Sequence, residues 1–153
     1  MPEPEARPTS WVEDLEHIGP ANAERLGFPS FVLDHLALAE THSYPDAALS
    51  DLADEYPVVV YSHGWTGFRT VNLDKSEALA SHGYVVVSID HTYGSIMTVF
   101  PDGRAVPVDE GALPDEEDVG PEAYEDAAQQ LVGVYAADIS FVLDSLEDIN
   151  TDD

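Results

Sequence analysis

The sequence contains no cysteine, and its 153 residues include only 5 basic side chains against 31 acidic ones. The first absence excludes disulfides, a thiol nucleophile and cysteine-ligated zinc. The second argues against nucleic acid or an anionic membrane as a partner, because phosphate binding needs lysine and arginine. Long apolar runs are also missing, and the amino terminus lacks the basic and apolar regions of a secretory signal. We therefore expect no membrane span and a cytoplasmic location.

The acidic residues are spread along the whole chain, and the formal net charge is -26. With 44% hydrophobic residues, the chain still has enough apolar side chains to bury a core. A surface of this kind repels itself, and salt screens the repulsion. We expect either adaptation to high ionic strength or simply an acidic, soluble protein. The length fits one domain or part of one.

One stretch combines a strand pattern with a glycine-bearing turn. The apolar run from Val58 to Tyr61 follows Pro57 and leads into residues 62–69, which read SHGWTGFR. A short β-branched run between a proline and a glycine turn is typical of a fully buried strand in a parallel sheet. In open α/β sheets the ligand crevice lies outside the carboxyl ends of the strands. We therefore expect this turn to contact a substrate.

The residues after this turn predict an α/β arrangement. A helix over about residues 72–82 ends at Gly83, and residues 84–89 form a second apolar run, so the order predicts a βαβ unit with parallel strands. The Pro-Asp-Gly turn at 101–103 predicts a hairpin outside the main sheet. Residues 109–120 predict an acidic loop, and a long helix is expected from Pro121 to about Ile149.

The first 43 residues predict a helical amino-terminal segment, and residues 44–153 predict the α/β portion. Residues 1–9 are rich in proline and glutamate and are expected to fray. A capping-box pattern from Ser10 predicts a short helix that ends at Gly19-Pro20, followed by a helix over residues 21–26. A third helical segment is expected over residues 31–39.

The turn after the first strand offers backbone N–H groups at the start of a helix, where an anion is favoured. The sequence has neither G-x-x-x-x-G-K-[ST] nor G-x-G-x-x-G, so an oxyanion is a better candidate than a phosphate. The histidines at 17, 35 and 42 lack the spacing of metal ligands. We expect no metal and no cofactor.

Two blocks carry a resemblance to a known family: YPVVVYSHGWTGFR at 56–69 and LASHGYVVVSIDH at 79–91. Together they resemble the platelet-activating factor acetylhydrolases of the α/β-hydrolase family, and dienelactone hydrolases and polyester-cleaving cutinases are similar here too. The resemblance extends from about residue 44 to residue 146. It implies a partial α/β-hydrolase fold and a Ser-His-Asp esterase that acts on small acyl esters or phospholipid-like esters.

Residue by residue, the resemblance implies an oxyanion hole without a nucleophile. The Trp65 backbone N–H matches the oxyanion donor, and His63 and Gly64 shape the turn. The substrate rim matches Thr66, Asp90 and His91. No G-x-S-x-G occurs in the sequence, and in the family this motif follows the helix that residues 123–146 resemble. We expect the front portion of a hydrolase, inactive in isolation, or alternatively a non-catalytic module whose open sheet edge pairs with a partner polypeptide.

Overall fold

The computed structural model describes residues 7–151, so most of the predicted fraying of residues 1–9 lies outside the described residues. The structure contains both helices and strands, with a parallel strand pair of the kind an α/β fold requires. In order, the elements are α1 (Leu15–Arg25), a 3-10 helix (Ser30–Leu38), β1 (Val58–Ser62), α2 (Leu73–Ser81), β2 (Val85–Ile89), β3 (Met97–Val99), β4 (Ala105–Pro107), a 3-10 turn (Glu110–Ala112), α3 (Glu116–Val119) and α4 (Pro121–Thr151).

The predicted βαβ unit is confirmed. β1 and β2 pair in parallel, with Ser62 opposite Ile89, and α2 connects them. Gly83 follows α2 with φ 86°, a left-handed conformation that glycine adopts without strain. Because parallel strands end at the same edge of the sheet, the residues after β1 and those after β2 emerge side by side.

The strands are less buried than the sequence predicts. The apolar runs predict strands covered on both faces, but Val58 is 50% exposed, and Ile89 is the only buried residue in β1 and β2. The reason is that the described residues give this sheet only two strands, and α4 has no fully buried residue. Burial deepens toward the carboxyl ends of the strands, where His63 and His91 lie.

The second half of the chain agrees with the sequence except in one segment. β3 and β4 form the predicted antiparallel hairpin as a separate sheet, and Pro107 lies opposite Met97 in this two-stranded pair. The predicted loop over 109–120 is partly wrong, because it contains the 3-10 turn and α3. Acidic residues fill the first turn of α3, where the helix dipole favours them. The long helix is confirmed and continues to Thr151.

The amino-terminal helices differ from their predicted bounds. The predicted start at Ser10 is wrong, because α1 begins only at Leu15, and the predicted stop at Gly19-Pro20 is wrong, because α1 passes through both residues. The proline removes one N–H donor from the helix. The helix continues because Ile18 and Ala23, on either side of the proline, are buried at 4% and 0% exposure. The two short helices of the prediction are therefore one helix.

The amino-terminal segment shares an apolar core with the α/β portion. Val12 and Ile18 pack with Phe68 and Ile96 in one buried cluster. The third predicted segment, residues 31–39, is the 3-10 helix, and none of its residues is buried. The boundary after residue 43 stays a prediction. Among the described helices, none has the length and apolar character needed to cross a bilayer.

Candidate functional site

The carboxyl ends of β1 and β2 bring two serines and two histidines together. Ser62 ends β1 and His63 follows it, whereas His91 and Ser95 come after β2. His91 and Ser95 have no exposed surface, and His63 is 3% exposed. The two imidazole rings meet edge to face, with their centroids 5.2 Å apart. We call these four residues the serine–histidine cluster.

His91 connects β1 to α4 through its two ring nitrogens. The Ser62 Oγ lies 2.8 Å from Nε2, and the Asp138 Oδ2 lies 2.8 Å from Nδ1. An ionised carboxylate can only accept, so Nδ1 donates to Asp138, and in the neutral ring Nε2 accepts from the Ser62 hydroxyl. The Tyr135 ring stacks on His91 with the centroids 3.6 Å apart. Burial raises the pKa of Tyr135 to about 12, so its phenol is neutral.

His63 makes a second set of contacts within the cluster. Its Nδ1 lies 2.7 Å from the Gly64 carbonyl oxygen, and its Nε2 lies 2.8 Å from the Ser95 Oγ. A carbonyl only accepts, so Nδ1 carries the proton and Nε2 accepts from the serine hydroxyl. Burial lowers the pKa of His63 below its ordinary value. The ring is therefore neutral near pH 7.

The turn after β1 contains several N–H groups without an acceptor among the described residues, including those of Gly64 and Trp65. The Thr66 N–H donates to the Gly94 carbonyl over 2.9 Å, and the Gly67 N–H donates to the Gly64 carbonyl over 2.9 Å. Within residues 7–151, the N–H groups of Gly64 and Trp65 have no acceptor. Gly64 is exposed and Trp65 is partly exposed, so this part of the turn lies at the surface. The role of Trp65 as an oxyanion donor stays a prediction. Such a donor needs an N–H that is not already bonded within the protein, and the N–H of Trp65 meets this requirement among the described residues.

The backbone of the turn is strained and supported from one side. Thr66 has φ 59°, a left-handed conformation that costs a residue with a side chain about 1–2 kcal/mol. Backbone hydrogen bonds fix it, because Gly94 accepts from Thr66 and Ile96 donates to the carbonyl of Gly67 over 3.0 Å. A Cβ atom on Gly67 would lie 2.9 Å from the Cβ of His63. Only glycine fits at that position.

Arg69 and Asp90 form an ion pair under the turn. The Arg69 Nη1 lies 2.6 Å from Asp90 Oδ2, and the Arg69 backbone N–H lies 2.7 Å from Oδ1. Glu13 and Asp14 approach Nη2 at 2.9 Å and 3.1 Å. Burial alone would lower the pKa of Arg69, but hydrogen bonds to Asp90 and Glu13 raise it above its ordinary value. Asp90, with its side chain 7% exposed, is therefore a paired acid.

The predicted site residues lie in one region but differ in exposure. Gly64 is exposed, Trp65, Thr66 and Asp90 are partly exposed, and His63 and His91 are buried. The predicted substrate rim of Thr66, Asp90 and His91 stays a prediction, since partners from the protein already occupy the polar atoms of the last two. Within the part of the chain that the structure describes, no three metal-ligating side chains come together.

Ser62, Ser95 and Tyr135 take part in the site although their roles were not predicted from the sequence. Ser62 directly precedes the His-Gly pair, so its place at the end of β1 is readable, but its partner is 29 residues away. Asp138 is recognisable as an acid near the apolar side of the long helix, and its contact with His91 is not. A single sequence holds no signal for pairs of this separation.

Comparison with known proteins identifies a hydrolase family. Residues 10–153 match the family described as platelet-activating factor acetylhydrolase, isoform II, and the chain belongs to this family. Over 57 residues it is 37% identical to the platelet-activating factor acetylhydrolase of Bos taurus. This aligned stretch covers 36% of this chain and 13% of that protein. Over 47 residues it is 40% identical to the enzyme of the same name from Canis lupus familiaris, covering 31% of this chain and 11% of the relative.

Proposed function

We propose that this chain is the oxyanion-stabilising portion of a carboxylic-ester hydrolase with an α/β-hydrolase fold. The observation that carries the proposal is the open Trp65 N–H in a fixed turn at the carboxyl end of a parallel strand. Preorganised backbone donors of this kind stabilise the negative oxygen of a tetrahedral intermediate in acyl transfer. The substrate class that we propose is a small acyl ester or a phospholipid-like ester, as the family membership suggests.

The electrostatics at the turn support this role in spite of the acidic surface. Asp90 is the acid beneath the turn, and it is paired at 2.6 Å with Arg69, a guanidinium that also contacts Glu13 and Asp14. His63 is neutral near pH 7, because burial lowers its pKa. A negative charge that develops at the Trp65 N–H therefore meets a backbone dipole rather than an unpaired carboxylate.

The nucleophile in this proposal lies outside the chain. No G-x-S-x-G occurs in the sequence, and Ser95 has no exposed surface. Ser62, His91 and Asp138 follow the hydrogen-bond order of a nucleophile, a base and an acid, but His91 is fully buried. A general base must also return its proton to the leaving group, which a buried ring cannot reach. We therefore assign these three residues no covalent step.

The test begins with the coding sequence after the Asp153 codon. We expect a G-x-S-x-G motif followed by Asp and His, and we expect the extended protein to hydrolyse p-nitrophenyl acetate. Trp65→Pro removes the N–H and is expected to lower kcat by about 10²–10³-fold, whereas Trp65→Phe keeps the donor and most of the activity. The chain of 153 residues alone is expected to match the buffer blank. Turnover by that chain, or an undiminished kcat in Trp65→Pro, would contradict the proposal.

A second candidate function is a non-catalytic assembly module, and the exposed apolar surface favours it. Along α4, Val132, Phe141 and Ile149 are 67%, 72% and 69% exposed. Among the described residues, β1 pairs only with β2, so its other edge is open. A strand from another polypeptide would pair with that edge. Unrelated sequence after the Asp153 codon, together with an inactive extended protein, would favour this candidate over the esterase.

A further inference from the structure

We infer that Ser95 and His63 form a relay that orients the Trp65 N–H. The inference rests on the proposed function, because orienting this group matters for catalysis only if the N–H binds an oxyanion. The key relation is covalent. The carbonyl of Gly64 and the N–H of Trp65 belong to the same planar peptide unit, in which they point in opposite directions. Whatever fixes the carbonyl also fixes the direction of the donor.

Two donors converge on the Gly64 carbonyl. The His63 Nδ1 lies 2.7 Å from its oxygen, and the Gly67 N–H lies 2.9 Å from it. A carbonyl oxygen has two lone pairs, and these contacts use both. The peptide plane between Gly64 and Trp65 is thereby fixed, and the Trp65 N–H points away from the His63 ring.

The relay depends on one tautomer of His63, and the protein determines it at both nitrogens. At Nδ1 the Gly64 carbonyl can only accept, so this nitrogen must donate. At Nε2 the backbone N–H of His91 approaches at 3.4 Å and can only donate, which favours an accepting nitrogen, and the nearest carboxylate oxygen, Asp90 Oδ1, is 3.8 Å away. The Ser95 hydroxyl, at 2.8 Å, supplies the shorter contact to Nε2 and fixes the ring in its plane.

The position of Ser95 explains why a serine suits this task. It has no exposed surface, so water does not compete for its hydroxyl. The Oγ lies 2.8 Å from His63 Nε2 and 3.4 Å from Asp90 Oδ1, so the contact with the histidine is the shorter of its two. The same segment carries Gly94 and Ile96, whose backbone groups bind Thr66 and Gly67. The segment 94–96 therefore contacts the turn through its backbone and fixes the histidine through its side chain. Ser95 is a positioning residue, since it acts on the donor only through His63.

The test is an NMR measurement on the chain as it stands, without substrate, using a matched pair of substitutions. The amide nitrogen of an asparagine side chain falls near the place of Nδ1, whereas that of glutamine falls near Nε2. His63→Asn therefore keeps a donor to the Gly64 carbonyl, and His63→Gln loses it. We expect amide hydrogen exchange at Gly67 to become about tenfold faster in His63→Gln, and less than about threefold faster in His63→Asn.

Ser95→Ala is the second variant, and it carries the test if a His63 variant does not fold. We expect a shift of the Trp65 amide resonance, a change in the ring nitrogen shifts of His63 and about tenfold faster exchange at Gly67. The amides of Val59 and Val87, in the β1–β2 ladder, report global opening. Their hydrogen exchange should not become faster by the same factor as that of Gly67. The inference is overturned if exchange rises equally at the turn and in the ladder, or if His63→Asn and His63→Gln behave alike. Failure of the esterase assay with these NMR results intact would instead remove only the proposed function.

Discussion

Two regions of the molecule contrast in the side chains that they bury or expose. The carboxyl ends of β1 and β2 bury polar side chains, whereas the outer surface of α4 exposes apolar ones. At the strand ends, His63, His91 and Ser95 are polar, buried and hydrogen-bonded. Along α4, Val132 and Phe141 are apolar and mostly exposed. A buried polar group is costly unless it has its partner, so we expect the loss of a hydrogen bond in the first region to destabilise the protein. Single exposed apolar residues cost little, so the second region tolerates change.

The two regions also differ in whether the chain supplies partners for their exposed or polar groups. The partners at the strand ends come from several parts of the same chain: Glu13 before α1, Asp90 after β2 and Asp138 on α4. The orientation of the proposed donor therefore needs no further polypeptide. The outer surface of α4 and the free edge of β1 lack such partners among the described residues.

The largest expected effect breaks the ion pair under the turn. Arg69→Gln leaves Asp90 charged and nearly buried, which we expect to lower the free energy of unfolding by about 3–5 kcal/mol. Arg104→Gln is the matched control, because Arg104 and Asp102 are 3.9 Å apart and mostly exposed, and we expect a change below about 1 kcal/mol. Urea denaturation of both variants measures the contrast. Equal losses would show that the strand ends are no more sensitive than the surface.

A smaller effect is expected from adding a methyl group in each region. A Cβ on Gly94 would collide with the ring of Tyr135, and we expect Gly94→Ala to cost about 1–3 kcal/mol. Gly133 lies within α4, and nothing would lie within 4 Å of a Cβ there. Gly133→Ala is therefore expected to stabilise the protein by about 1 kcal/mol, since alanine favours a helix over glycine. Thermal unfolding of the two variants should shift in opposite directions, and shifts of the same sign would contradict the contrast.

The smallest effect concerns pH and the neutral state of His63. Burial lowers its pKa in the folded protein, so the unfolded chain binds a proton more readily. The resulting stability is fully present above the unfolded pKa near 6.5 and is lost as the pH falls below it. Urea denaturation at several pH values measures the free energy of unfolding of the natural protein and of His63→Asn. We expect the difference between the two to narrow from pH 7.5 to pH 5, by at most about 1.4 kcal/mol per pH unit. A gap that stays constant over this range would contradict the prediction.

The βαβ unit could be predicted because its signals are local. Pro57 and the valine run mark β1, Gly83 marks the end of α2, and a second valine run marks β2. The same local rules fail at Gly19-Pro20, where burial of the neighbouring side chains carries α1 through a usual stop signal. Local patterns therefore predict an element well until tertiary burial outweighs them.

The candidate site was predictable only in part. The turn is readable from the His-Gly pair, but the partners of its side chains are not. His63 bonds a serine 32 residues away, and His91 bonds an acid 47 residues away. The pattern of apolar positions places Asp138 near the apolar side of α4, but among 31 acidic residues it does not identify the one that contacts His91. Only the fold selects the pairs.

The separation of these partners sets the order in which the site forms during synthesis. A strand and turn emerge from the ribosome first, whereas Ser95 and then Asp138 emerge later. Contacts between distant residues must wait for the intervening chain to be made and closed into a loop. The contacts of residues 94–96 with His63, Thr66 and Gly67 therefore cannot form while β1, α2 and β2 are being made. His63 gains its Ser95 partner next, and the neighbouring His91 gains its Asp138 partner only after the middle of α4 has been synthesised.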